Sequence, residues 1–163
     1  EMIHVASPLH DAVKFVIPDA VLNKPGKLDA EERKIMDGHA ELGYQLFKDA
    51  RPRILKLAAQ IAYEHHEKWN GQGYPRGLSG ENISLAGRIV ALADVYDALS
   101  HARCYKDPWP QDKVLETIRA DSGKQFDPAV VDAFFRVLSQ INQVRLRFAE
   151  HPDSNWADNE QSH

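Results

Sequence analysis

Cysteine is all but absent from this chain of 163 residues: Cys104 is the single copy, so neither an internal disulfide nor a thiolate zinc site can form. A lone thiol suits a reducing compartment, and a cytoplasmic location is the expectation. No run of about 18 uninterrupted apolar residues occurs, and the opening stretch lacks a basic head ahead of an apolar segment, so neither a membrane span nor a leader is expected. Cations are not in excess either. Lys+Arg 20 against Asp+Glu 24 give a formal charge of -4, which argues against a protein that holds duplex DNA by charge and leaves a small phosphate ligand open. Internal repeats and alternating strand patterns are also missing. Apolar residues at 43% and charged ones at 27% are ordinary globular usage, so a single folded core is expected rather than disorder. What the sequence does hold is histidine, in 8 copies.

The helical signals follow one another along the chain. Asp29-Ala30-Glu31-Glu32 has the form of a capping box, and Ile35, Met36, Leu42 and Leu46 follow at helical spacing, predicting a helix over about 30–48. After Pro52, the apolar positions Ile54, Leu55, Leu57, Ala58, Ile61 and Ala62 predict a second helix that ends at His65-His66. Residues 69–82 hold four glycines and a proline among polar side chains and read as a large loop. A third helix is expected over 83–100, with Ile89, Leu92, Ala93, Tyr96 and Leu99 on its apolar face, and a fourth from Pro110 through Asp121. Asp127-Pro128 opens the last helix, whose stripe of Val130, Val131, Phe134, Phe135, Val137, Leu138 and Ile141 carries it to about Phe148. The fold class is all-α. Residues 1–149 are expected to form one helical bundle, and 150–163 a flexible tail.

Four separated segments carry groups that could do chemistry: His10-Asp11 with Lys14 close behind, His39 amid Met36, Ala40 and Leu42, His65-His66 at a helix end, and Asp94 inside ALADVYDAL. Each taken singly is also a plain structural residue. His10-Asp11 reads as a surface pair, His39 as a core-edge imidazole bonded to backbone, His65-His66 as cations at a helix C-terminus, and Asp94 as the partner of a nearby Arg or Lys. Asp94 fits that reading least well, because a carboxylate buried in an apolar stripe needs a compensating cation. Taken together, imidazoles and carboxylates without sulfur suit iron, manganese or zinc. Four histidines and two aspartates exceed the needs of one tetrahedral ion and suit two ions sharing a carboxylate, an arrangement able to activate water against a phosphodiester.

The longer text around these residues, LHDAVKFVIPDAVLNKPG, AAQIAYEHHEKWNGQGYPRGLSG, LAGRIVALADVYDALSHARCYKDPW and FDPAVVDAF, resembles the HD-GYP phosphodiesterases of bacterial cyclic di-GMP signalling, a branch of the HD phosphohydrolases. The likeness runs from about Ala6 to Leu138, and the spacings agree: 28 residues from Asp11 to His39, 26 from His39 to His65, and 28 from His66 to Asp94. It implies an HD-domain bundle with a Gly-Tyr-Pro loop and a binuclear centre of iron or manganese, with other divalent metals open. Asp11 would bridge the ions, His39, His65 and His66 complete one site, and His10 and Asp94 belong to the other. Lys14 would lie near the scissile phosphate, Gly73, Tyr74 and Pro75 would line the substrate cleft, and Arg103 and Lys106 would hold phosphate. Without the likeness, those last two read as a solvated helix end.

The implied activity is hydrolysis of cyclic di-GMP to linear pGpG and on to GMP. The alternatives are a catalytically silent module that binds the dinucleotide or docks a diguanylate cyclase through the loop, and a hydrolase of a related cyclic dinucleotide. Two departures accompany the likeness. Val13 stands where family members carry Gly, and a Gly used there for a left-handed conformation would leave Lys14 displaced in this chain. The family helix that precedes the His-Asp pair, with a further histidine and often a glutamate, has no counterpart in the nine residues before His10, where only His4 is found. The expectation is an incomplete catalytic core within a longer protein that carries an upstream sensory or receiver domain.

Overall fold

A computed structural model describes residues 2–100 and 108–150, and among them the chain forms helices and 3-10 turns with two isolated bridges and no strand. The helices are α1 (Met2–Ala6), α2 (Asp19–Leu22), α3 (Ala30–Phe47), α4 (Arg53–Glu64), α5 (Leu85–Ser100), α6 (Gln111–Ala120) and α7 (Pro128–Glu150). The all-α expectation holds. No helix among the described residues is long and apolar enough to cross a membrane. The chain divides into two units at Val131, the first running from α1 into the first turn of α7 and the second holding the rest of α7, where the rings of Phe134 and Phe135 meet edge to face at 5.3 Å.

Local chemistry explains where the helices begin. Asp29 accepts from the Glu32 N–H at 2.9 Å while the Glu32 carboxylate accepts from the Asp29 N–H at 2.8 Å, closing the capping box of α3. The Lys24 ammonium caps the arrangement by pairing with Glu32. Pro52 and Pro110 occupy the N-cap positions of α4 and α6, one residue outside the first turn. Ser84 Oγ accepts from the Gly87 N–H at 3.1 Å and starts α5. Asp127 starts α7 with Oδ1, which accepts from the Ala129 N–H at 2.8 Å, and takes the Arg88 guanidinium on Oδ2 at 2.7 Å.

Helix α4 is the central element, packed against α1, α3 and α5. Its buried face is built from small side chains, Ala58, Ala59 and Ala62 beside Ile61, and Ala58 and Ile61 join Ala6, Ala86 and Val90 in an apolar cluster. Small residues let the axes approach closely. A Cβ at Gly43 of α3 would sit 2.8 Å from the Ala62 Cβ, so glycine is what allows the α3–α4 crossing. The same spot receives Val13, whose Cγ2 would lie 3.5 Å from that Cβ, and the His10 carbonyl at 3.6 Å. The turn carrying His10 and Asp11 is thereby pressed onto the crossing of α3 and α4.

Three sequence expectations are corrected. Ile35, Leu42 and Leu46 are exposed, and α3 turns Met36, His39, Ala40 and Gly43 inward instead. A helix that brings a histidine to a site spends core-facing positions on polar and small residues, so its apolar stripe no longer marks its buried face. In α5 the inward residues are Ala86, Val90, Ala91, Leu92 and Tyr96, whereas Ala93 is exposed. Helices α1 and α2 were not expected, being five and four residues long and too short to show a period.

Replacing Asp127 with Ala would leave the Arg88 guanidinium, half-buried and already without a partner at Nε, facing no carboxylate, and α7 without its cap. The expected loss is about 3 kcal/mol, read as a lower urea midpoint at unchanged slope; no measurable shift would contradict the assignment.

Candidate metal centre

Helix α4 ends at Glu64, and the next two residues leave it with their rings aimed at α3. His65 caps the helix through its N–H to the Ile61 carbonyl at 2.9 Å. His39, buried in the middle of α3, meets both: its Nε2 lies 3.3 Å from Nε2 of His65 and 3.1 Å from Nε2 of His66. The His10-Asp11 turn completes the cluster. Asp11 Oδ1 lies 3.7 Å from Nε2 of His39 and 3.9 Å from Nε2 of His65, and Asp11 Oδ2 lies 3.3 Å from Nε2 of His10. Asp94, on α5, comes within 3.9 Å of the same His10 nitrogen. Residues spread over more than eighty positions thus surround one small volume.

The imidazoles are held from behind. Nδ1 of His10 donates to the Ser7 carbonyl at 2.5 Å, Nδ1 of His39 to the Met36 carbonyl at 2.6 Å, and Nδ1 of His65 to the Ala62 carbonyl at 2.9 Å. Each bond fixes the proton on Nδ1 and leaves the Nε2 lone pair pointing into the cluster, the orientation that a carbonyl behind the ring gives to metal-ligating histidines. Nε2 of His10 and Oδ1 of Asp11 are buried and have no hydrogen-bond partner. With the protons of His39 and His65 held on Nδ1, their Nε2 atoms face each other at 3.3 Å as two acceptors with no proton between them, and Nε2 of His66 lies 3.1 Å from that of His39.

Outside this ring, Lys14 Nζ bonds Asp11 Oδ2 at 2.6 Å. Val13 sits at φ -93° and ψ 0°, a conformation that needs no glycine, and the turn it belongs to brings Lys14 onto Asp11. His4 is exposed and takes no part. Asp94 is half-exposed rather than buried, so the burial cost that singled it out in the sequence does not apply, and its nearness to His10 is what ties it to the cluster. Arg103 and Lys106 lie outside the described residues.

The loop after the histidine pair is fastened by two glutamates that sequence reasoning missed. Buried Glu67 accepts the N–H groups of Arg76 at 2.8 Å and Leu78 at 2.9 Å. Buried Glu64 accepts from the Arg76 guanidinium at 2.7 Å and from the Ser84 N–H at 2.8 Å, joining the loop to α5. In the run Glu64-His65-His66-Glu67 the inner pair faces the cluster and the outer pair clamps the loop. Gly73 passes so near the chain that a Cβ there would lie 2.4 Å from the Lys68 nitrogen. That close approach seats the Tyr74 ring against His66, stacked at 4.7 Å between centroids and 25° between planes. Pro75 follows Tyr74 through a cis peptide.

Two overlapping groups could hold an ion: His39, His65 and His66, and His10, Asp11 and His65. His65 falls in both, whereas the sequence reading gave it to the first alone. Nitrogen and oxygen donors, inward lone pairs and two orphaned acceptors fit divalent metal. Residues 1–130 match the family model described as the HD domain. The chain belongs to the HD domain family. This HD domain is 48% identical over 145 residues to a 3'3'-cGAMP-specific phosphodiesterase 2 of Vibrio cholerae, covering 89% of the chain and 28% of that protein. It is 47% identical over 148 residues to the cyclic di-GMP phosphodiesterase response regulator RpfG of Xanthomonas campestris, covering 91% and 39%. It shares its fold with a crystal structure of a cyclic GMP-AMP specific phosphodiesterase of V. cholerae, at a TM-score of 0.59 and 24% identity over 85% of this chain and 38% of the other. The chain therefore spans between a quarter and two fifths of the length of these relatives.

The electrostatics of this HD domain keep the ligand set ready for a cation. Burial, reinforced by the neighbouring imidazoles, pushes the pKa of His65 down to about 3 and of His66 down to about 2. Burial also lowers His39. His10 is raised despite its burial, by the Asp11 and Asp94 carboxylates and the Ser7 carbonyl. Although burial pushes the other way, His10 and Lys14 hold Asp11 well below the usual carboxylate range. Folded His39, His65 and His66 therefore stay neutral where the unfolded chain protonates, below pH 6.5. Unfolding takes up protons there, and stability rises with pH. In EDTA, stability is expected to fall as the pH drops from 6.5 toward 3, more steeply than the about 1.4 kcal/mol per pH unit of a single site. A pH-independent urea midpoint across that window would contradict the burial of these rings.

Proposed function

We propose that this HD domain is the catalytic core of a metal-dependent phosphodiesterase that opens cyclic di-GMP to linear pGpG and on to GMP. The observation that carries the reading is the convergence of His10, Asp11, His39, His65 and His66, with the Nε2 lone pairs of His10, His39 and His65 turned inward and Lys14 at the rim. In it Asp11 would be shared by two ions, His39, His65 and His66 would hold one and His10 and Asp94 the other, and the metal would be iron or manganese. The chemistry such ions supply is polarisation of a phosphoryl oxygen and a lowered pKa for water. The chain's own groups do the rest. Lys14, already charge-paired with Asp11, offers a point charge to the phosphate. Tyr74 walls the cleft through its stack on His66, and burial beside the Asp37 carboxylate pushes its hydroxyl pKa up, so it stays a neutral donor. In the same reading, Arg103 and Lys106 would hold phosphate.

The names of the relatives support a cyclic dinucleotide as the substrate class, with 3'3'-cGAMP beside cyclic di-GMP. The pairing of Lys14 with Asp11 beside Val13 supports the enzyme reading over the silent module. A diguanylate cyclase docking on the Gly-Tyr-Pro loop and an upstream sensory or receiver domain belong to the same proposal.

The test is turnover of cyclic di-GMP by protein loaded anaerobically with Fe(II) or with Mn(II), products being separated by chromatography. Linear pGpG is expected to form, to cease with EDTA, and to fall to background in Asp11→Ala with the helical circular dichroism signal kept. Binding of cyclic di-GMP without turnover in the loaded protein would overturn the enzyme reading in favour of the silent module.

A further inference from the structure

A second concave site lies along α4, between the C-terminal end of α3 and the loop that carries Arg76. It is a groove of about 370 Å³ lined by Tyr44, Lys48, Lys56, Tyr63, Glu64 and Arg76, and none of the histidines lines it. One wall is layered: Tyr44 and Tyr63 stack at 4.3 Å and 14°, and the Arg76 guanidinium lies over Tyr63 at 4.3 Å. Of the acids nearby, Glu64 is paired with Arg76 and the Ser84 N–H, and Glu41 accepts from Gln45 at 2.7 Å while its charge is felt by Lys48 and Arg76. Lys48 and Lys56 are exposed, and neither forms an ion pair among the described residues.

We propose that this groove binds a nucleoside monophosphate, its base against the tyrosine wall and its phosphate between Lys48 and Lys56. The volume falls in the range of small-molecule sites, a flat aromatic wall suits a base, and two unpaired ammonium groups suit a phosphate. Arg76 gives the site a consequence. It directly follows the Gly-Tyr-Pro turn, its N–H is held by Glu67 and its side chain by Glu64, so an occupant that draws on the guanidinium acts on the loop that stacks Tyr74 on His66. The groove is thus an effector site wired to the cluster by the two glutamates that flank the histidine pair. None of this depends on the enzyme reading.

The experiment is titration of GMP into the protein in EDTA, which removes ion-dependent binding at the histidines, followed by calorimetry and amide resonances. GMP is expected to bind, to shift the Arg76 and Leu78 amides, and to weaken about tenfold or more in Lys48→Glu/Lys56→Glu, two exposed changes whose folding circular dichroism verifies. Inorganic phosphate is expected to bind more weakly than GMP. No GMP binding to the unaltered protein, undiminished binding to the double variant, equal affinity for phosphate, or shifts confined to the neighbours of His39 and His65 would each overturn the assignment.

Discussion

Three hydrogen bonds from imidazole Nδ1 atoms to backbone carbonyls, at His10, His39 and His65, set the terms for the rest of the molecule. Each carbonyl lies three residues back along its own element, so the bond is local and forms as soon as the turn or helix does. Its effect is long-range, because it decides which nitrogen carries the proton and therefore which one faces the neighbouring segments. Three local choices then demand that α3, α4 and the His10-Asp11 turn meet closely. The small residues at the crossing, Gly43 against Ala62, meet that demand.

The histidine pair and the loop are a single device. A helix that stops at Glu64 sends two successive imidazoles toward the cluster and leaves carboxylates on either side of them facing the loop. Two buried carboxylates would be costly on their own, but each here accepts two donors, and those donors are the backbone of the loop, the start of α5 and Arg76. Movement of the loop therefore cannot be separated from the orientation of His65 and His66. That coupling places Tyr74, the loop's aromatic face, directly over a ring of the cluster.

Much of this was legible in the sequence, because caps and prolines are local signals. Asp29 with Glu32, Pro52, Pro110 and Asp127-Pro128 mark helix starts within a few residues, and four of the five longer helices, α3, α4, α6 and α7, lie where these signals put them. Burial was less legible. Ile35, Leu42 and Leu46 read as a core stripe but lie outside, since α3 gives its inner face to His39, Ala40 and Gly43. The cluster members were named from donor chemistry and a family likeness, and their convergence depends on contacts between residues far apart, which spacing alone does not encode. Glu64 and Glu67 went unread because all but one of their partners are backbone N–H groups, invisible in a list of side chains. The one available signal was two acids at a site where burial is implied by the glycine-rich loop folding back.

The claim on which everything rests is that the inward Nε2 atoms and the Asp11 carboxylate converge to share metal. Loading the protein with Mn(II) or Fe(II), counting ions per chain after removal of excess, and recording the X-ray absorption of the bound metal measures this directly. About two ions per chain with imidazole nitrogen in the first coordination shell, and a loss of bound metal in Asp11→Ala, is the predicted result. No tightly bound metal, or metal whose coordination shows no imidazole, would contradict it.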